Sequence, residues 1–234
     1  MNSFLPFIIP LLAGLSTTIG YLPTYISSKY QNFVISFSLA FSSIVMIIIS
    51  IFSLIPEAYH YFSNTLTFSS VLILLIWLNV GIVLSLSLER QIEKSTNYSS
   101  LYKLGVMSVF ALILHNIPEG ITTYITTSNN LQLGISLSIA IALHNIPEGI
   151  ATAIPIYYST SSHKKAFLYT LVSGFSEFLG AILAHIFLKE LINSFILAVI
   201  LSITAGIMLH LSIFDLIPSA LSYMKKRLSY DKSL

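Results

Sequence analysis

Seven long apolar stretches alternate with short polar ones along the chain, at 4–27, 33–59, 69–88, 104–127, 131–157, 166–188 and 194–223. Each is near or above the roughly 20 residues that an α-helix needs to cross the hydrocarbon core of a bilayer. The pattern predicts an all-α integral membrane protein, a bundle of seven transmembrane helices. The polar connections are short, and the longest, 89–103, reads ERQIEKSTNYSSLYK. No stretch has the length of a soluble domain and none is of low complexity, so residues 1–234 are expected to form a single transmembrane domain. The first charged side chain is Lys29, and no basic segment precedes the first apolar stretch. That stretch is too long for the apolar part of a secretion signal, and is read as the first spanning helix.

Composition sharpens this picture. Apolar residues make up 55% of the chain and charged ones only 9%, against about 25% charged in a soluble protein. So few charges cannot cover a water-facing surface, and lipid must cover much of it. Cysteine is absent, which excludes disulfides and thiolate metal sites. The net charge of +2 is too small to point to nucleic acid. The distribution of charge says more. With the N-terminus outside and seven crossings, Lys29, Arg90, Lys94, Lys103, Lys164, Lys165, Lys225, Lys226, Arg227 and Lys232 all fall on the cytoplasmic side, and only Lys189 falls outside. This bias is the positive-inside signature of a multi-pass protein of the plasma membrane with a cytoplasmic C-terminus.

The chain also repeats itself. LHNIPEGI occurs at 114–121 and again at 143–150. A second repeat relates LLAGLSTTIG at 11–20 to LVSGFSEFLG at 171–180, and SIFSLIP at 50–56 to SIFDLIP at 212–218. Helices 1 and 2 thus match helices 6 and 7, and helix 4 matches helix 5. Each matched pair crosses in opposite directions, giving an inverted repeat, an architecture of secondary transporters that bind substrate near the midplane.

Polar chemistry sits inside the repeated segments. Glu119, Glu148, Glu177 and Asp215 all fall within predicted spans, whereas no Lys or Arg lies in a span core. A charge at the centre of a spanning helix costs about 2.5–3.5 kcal/mol. Internal salt bridges cannot neutralise these acids, and a bound cation is the simplest alternative. His115 with Glu119, and His144 with Glu148, are four apart and share a helix face. Two imidazoles and two carboxylates suit Zn, Fe, Mn or Co rather than Mg or Ca. Asn116 and Asn145 lie about 100° round the helix from the histidines, three residues before their glutamates, where they serve an adjacent position. Glutamates shared between the positions would make the site binuclear. Pro118 and Pro147 deprive the Leu114 and Leu143 carbonyls of helical partners, and with Gly120 and Gly149 following, both helices are expected to be broken there. Glu177, in SGFSEFLG, is expected to reach the shared site, because the small residues at 173, 174, 176 and 180 let a neighbouring helix close in. Asp215 is read as lining the ion path, His185 and His210 as packing residues, and Glu57 and His60 as interfacial. Helices 4 and 5 are expected to move with helices 1 and 6 against a frame of helices 2, 3 and 7, a division that a cross-link from helix 4 to helix 2 would test.

The two HNIPEG copies followed by SGFSE closely resemble the ZIP (Zrt/Irt-like) family of metal transporters, nearest to its bacterial zinc-uptake branch. By that resemblance His115, Glu119, His144 and Glu148 form a primary metal position, and Asn116, Asn145 and Glu177 complete a second. It implies transport of Zn, Fe, Mn or similar divalent ions toward the cytoplasm, with the metal as cargo and no cofactor. Family members usually have eight helices, so the chain reads as one lacking the eighth, and a homodimer is expected to supply the missing wall. Acidic residues frequent in the family are replaced by Ser53 and Phe214, leaving Asp215. The alternatives to transport are a membrane-embedded metalloenzyme or a metal-binding protein that no longer transports. The chain lacks HExxH and the Glu-x-x-His pairs of di-iron bundles, and its loops are too short for a large substrate, so no enzyme activity is expected.

Overall fold

A computed structural model of the protein describes residues 4–26, 30–65, 69–95, 99–191 and 194–231. Lys29 and Lys232, two of the residues used for orientation, lie outside them. Among the described residues, seven helices are long and apolar enough to cross a membrane: α1 (Leu5–Tyr25), α2 (Gln31–Ser63), α3 (Ser70–Ile92), α4 (Ser100–Asn129), α5 (Leu131–Thr160), α6 (His163–Phe187) and α7 (Ser194–Lys226). No strand occurs among the described residues. The seven expected spans are present, and most run a turn or so beyond their apolar stretch. The connection expected at 89–103 is correspondingly shorter, since helix continues to Ser95 and resumes at Ser100.

Two packing groups make up the bundle. In one, α1, α4, α5 and α6 pack on one another; in the other, α2 and α3 both pack on α7. The groups meet mainly where α2 lies along α5, fastened by the Ser42 hydroxyl donating to the Pro147 carbonyl at 2.5 Å. The sequence division of helices into 1, 4, 5, 6 and 2, 3, 7 is therefore the division seen in the packing. The boundary differs from expectation, because α5 rather than α4 faces α2. α4 is the most enclosed helix, with 72% of its apolar window buried, and α3 the least, with 17%.

Helix geometry departs from the α form where the second repeat lies. In α1, Ser16–Tyr25 is wound as a 3₁₀ helix. In α2, Ser50–Leu54 is a π turn, and in α7 so is Leu211–Leu216. Both π turns precede the proline of the repeated SIFxLIP segment, Pro56 or Pro218. A proline ring collides with the carbonyl four residues back, and a widened turn removes the collision. By contrast, α4 and α5 run unbroken through Pro118 and Pro147, correcting the expectation of broken helices. The glycines after those prolines serve a helix crossing instead. A methyl group on Gly120 would strike the Glu177 carbonyl of α6, and one on Gly149 would strike the Thr17 carbonyl of α1. Without side chains, these backbones pass in direct contact.

The inverted repeat is visible in these contacts. Gly14 and Gly174 are repeat mates, and each occupies the space against the other's carbonyl. Thr17 and Glu177 are mates too, so the crossings at Gly149 and Gly120 are two copies of one contact.

Candidate functional site

Middle turns of α4 and α5 face each other inside the first packing group. His115 and Glu119 on α4 are one helical turn apart, and His144 and Glu148 on α5 repeat the spacing in the opposite direction. His115 and Glu148 are fully buried and Glu119 is 8% exposed. Glu119 Oε1 lies 3.2 Å from His115 Nε2 and 2.9 Å from His144 Nε2. Glu148 Oε1 lies 3.4 Å from His115 Nε2. His115, His144 and Glu148 each bring a potential ligand atom within 4.8 Å of the others. The four motif residues thus converge on one point.

The asparagines are placed by backbone carbonyls on the flanking helices. Asn116 Nδ2 donates to the Ser173 carbonyl of α6 at 2.8 Å. Asn145 Nδ2 donates to the Ala13 carbonyl of α1 at 3.1 Å and to Glu177 Oε2, also at 3.1 Å. Ser173 and Ala13 are repeat mates, so the two asparagines make equivalent bonds. Because each amide nitrogen faces a carbonyl, each Oδ1 is turned away from it. Neither Oδ1 has a hydrogen-bond partner. Glu177 is fully buried, as the small residues around it predict, and is joined to the cluster through Asn145. Its mate on α1 is Thr17, so the site is two-fold in its asparagines but not in its α6 acid.

The donor set around this point is unsatisfied in a consistent way. Glu119 Oε2, both carboxylate oxygens of Glu148, Glu177 Oε1, Asn116 Oδ1 and Asn145 Oδ1 are buried acceptors without a hydrogen-bond partner. No Lys or Arg belongs to the spans' central turns. Buried acceptors left unmade are costly, and their convergence fits a divalent cation, which needs acceptors rather than donors.

The remaining candidates lie elsewhere. His185 is exposed on α6, where it shares a 2.7 Å hydrogen bond with the Tyr124 hydroxyl and packs edge-on to Phe7. Glu57 is half-buried, 3.4 Å from the Tyr61 hydroxyl, and His60 is exposed. His210 belongs to a second cluster that the sequence reading did not assemble. Glu89, His210 and Asp215 place ligand atoms within 4.8 Å of one another, with His210 Nδ1 3.0 Å from Ser85 Oγ. A cavity of about 160 Å3 lined by Glu89, Lys103 and Asp215 adjoins it. The apolar pattern stops at residue 88, but the helix runs on to Ser95 and so carries Glu89.

Seven membrane-length helices enclosing buried acids define a polytopic membrane protein of the transport class. Residues 86–233 match the family described as ZIP Zinc transporter. The zinc transporter ZupT of Streptococcus mutans is 36% identical over 244 residues, covering 97% of this chain and 91% of that protein. Those of Oceanobacillus iheyensis and Campylobacter jejuni are 36% and 35% identical, over 97% and 95% of this chain and 92% and 89% of theirs. The chain belongs to the ZIP family, as its HNIPEG and SGFSE motifs imply, and it is a transport protein rather than an enzyme.

Proposed function

We propose that this protein carries zinc across the plasma membrane toward the cytoplasm through a binuclear site between α4, α5 and α6. Its relatives are named zinc transporters. His115, Glu119, His144 and Glu148 hold the first ion, and Asn116, Asn145 and Glu177 complete the second with the two glutamates bridging. The same nitrogen and oxygen donors accept Fe, Mn or Co. The observation that carries this reading is the convergence of buried acceptors without hydrogen-bond partners on two imidazoles.

The basic residues orient the molecule with its N-terminus outside and C-terminus inside. In that orientation Glu89, His210 and Asp215 lie on the cytoplasmic side of the first site and line the exit. The test is zinc uptake into proteoliposomes. His115→Ala with His144→Ala removes both imidazoles, and saturable uptake is expected to disappear while the protein stays folded. Normal uptake by the well-expressed double variant would sink the site assignment.

A further inference from the structure

The repeat does not end with the eight identical residues. Two positions beyond Ile121 and Ile150, both copies carry a threonine, Thr123 and Thr152. Each stands four residues past its motif glutamate and eight past its motif histidine. It therefore occupies the same helix face, one turn further along. Both threonines are 0% exposed, and neither hydroxyl has a hydrogen-bond partner.

Most hydroxyls in this bundle are not in that state. A hydroxyl on an apolar helix ordinarily donates back to the carbonyl three or four residues earlier. Ser108, Thr122, Thr170 and Ser202 all do so, at 2.7–3.2 Å. Thr122 is the immediate neighbour of Thr123 and bonds the Pro118 carbonyl at 3.0 Å. Two other threonines, Thr17 and Thr127, also lack partners, but they abut the backbones of Gly149 and Gly134 at helix crossings. Thr123 and Thr152 are not among the atoms that crowd those glycines. Their distinguishing feature is position on the ligand-bearing face.

α4 and α5 are antiparallel, so one turn beyond each glutamate leads to opposite sides of the site. Thr123 lies toward the α4–α5 connection and Thr152 away from it. We propose that Thr123 and Thr152 are paired positioning residues for transport, each hydroxyl replacing a water ligand as the ion passes between the His/Glu position and the side that threonine faces. A neutral oxygen suits this role. It offers a departing cation an acceptor without the charge that would trap it, and conduction requires sites weak enough to leave. The assignment rests on the zinc-transport reading above.

The experiment uses the purified full chain in proteoliposomes, with zinc as the probe. It compares Thr123→Val, Thr152→Val, Thr123→Ser and Thr152→Ser with the parent. Valine keeps the shape and removes the hydroxyl. Each valine variant is expected to lower maximal uptake roughly tenfold, equivalent to about 1.4 kcal/mol at the barrier. Zinc stoichiometry by elemental analysis should stay at the parent value, and the thermal unfolding temperature should not fall, since an unmade buried hydrogen bond is removed. Serine, which restores the hydroxyl, should recover most of the rate. Parent-like uptake by both valine variants overturns the proposal alone, as does serine failing as badly as valine, which would make the effect one of packing. A parent that takes up no zinc overturns both this proposal and the reading beneath it.

Discussion

At the scale of single residues, the site turns on how two amides are held. Asn116 and Asn145 donate their nitrogens to the Ser173 and Ala13 carbonyls, and both oxygens are left buried without a hydrogen-bond partner. Asn145 also steadies Glu177. In the proposed binuclear site, removing that side chain would delete one oxygen ligand and free a second. Asn145→Ala is expected to reduce bound zinc from two ions toward one per chain by elemental analysis, with the His-bearing position retained. One ion in the unaltered protein would refute the binuclear arrangement. The His/Glu pairs were legible in the sequence because a spacing of four fixes a common face whatever else the fold does. The amide orientations were not, because they depend on carbonyls of helices more than 100 residues away for Asn145 and more than 50 for Asn116. His210 is buried and hydrogen-bonded as a packing residue would be, but its neighbours Ser85 and Glu89 come from α3, so their grouping was not legible either.

At the scale of helices, proline and glycine divide the work differently from their usual reading. Pro118 and Pro147 leave α4 and α5 continuous, whereas Pro56 and Pro218 stand beside π turns. Sequence alone cannot rank these outcomes, because neighbouring helices decide which distortion a proline-containing turn adopts. The glycines were easier to read. Gly174 and Gly180, read as letting a neighbouring helix close in, do sit at helix crossings, and Gly174 with Gly14 shows what is at stake. A methyl group on Gly174 would collide with backbone rather than with a side chain that could turn aside. Overpacking of this kind costs typically about 1–3 kcal/mol. Gly174→Ala is thus expected to lower the thermal unfolding temperature in detergent and to reduce zinc uptake. Leu179→Ala, at a position 44% exposed on the same helix, should shift unfolding less. Equal stability of Gly174→Ala and the parent would mean that the α1–α6 crossing has slack the geometry does not suggest.

At the scale of the whole molecule, the seven spans and their pairing by inverted repeat were legible because hydropathy and direct identity both survive without tertiary information. The grouping of helices followed from the motifs of helices 4 and 5 and the glycines of helices 1 and 6. What the sequence could not supply was the contact across the group boundary, where α5 rather than α4 lies along α2. That contact decides how motion is tested. If the group carrying α1, α4, α5 and α6 moves against the group carrying α2, α3 and α7, the α2–α5 interface must slide, while the α1–α6 crossing, locked by facing glycines, must not. The Ser42–Pro147 hydrogen bond is the natural marker of the sliding interface, because it joins α2 to α5 across the group boundary. The chain has no cysteine of its own, so pairs can be introduced cleanly. A short bifunctional thiol reagent joining a cysteine beside Ser42 on α2 to one beside Pro147 on α5 is expected to abolish zinc uptake, and reductive release of a cleavable version should restore it. The same reagent joining positions beside Gly14 on α1 and Gly174 on α6 should leave uptake at the uncross-linked rate. Uptake that persists through both cross-links would remove the need for relative motion, and a path through a static bundle would then describe the protein better. Uptake lost through the α1–α6 link alone would instead place the moving boundary inside the group that holds the site, and would separate α1 from the helices that carry the ligands.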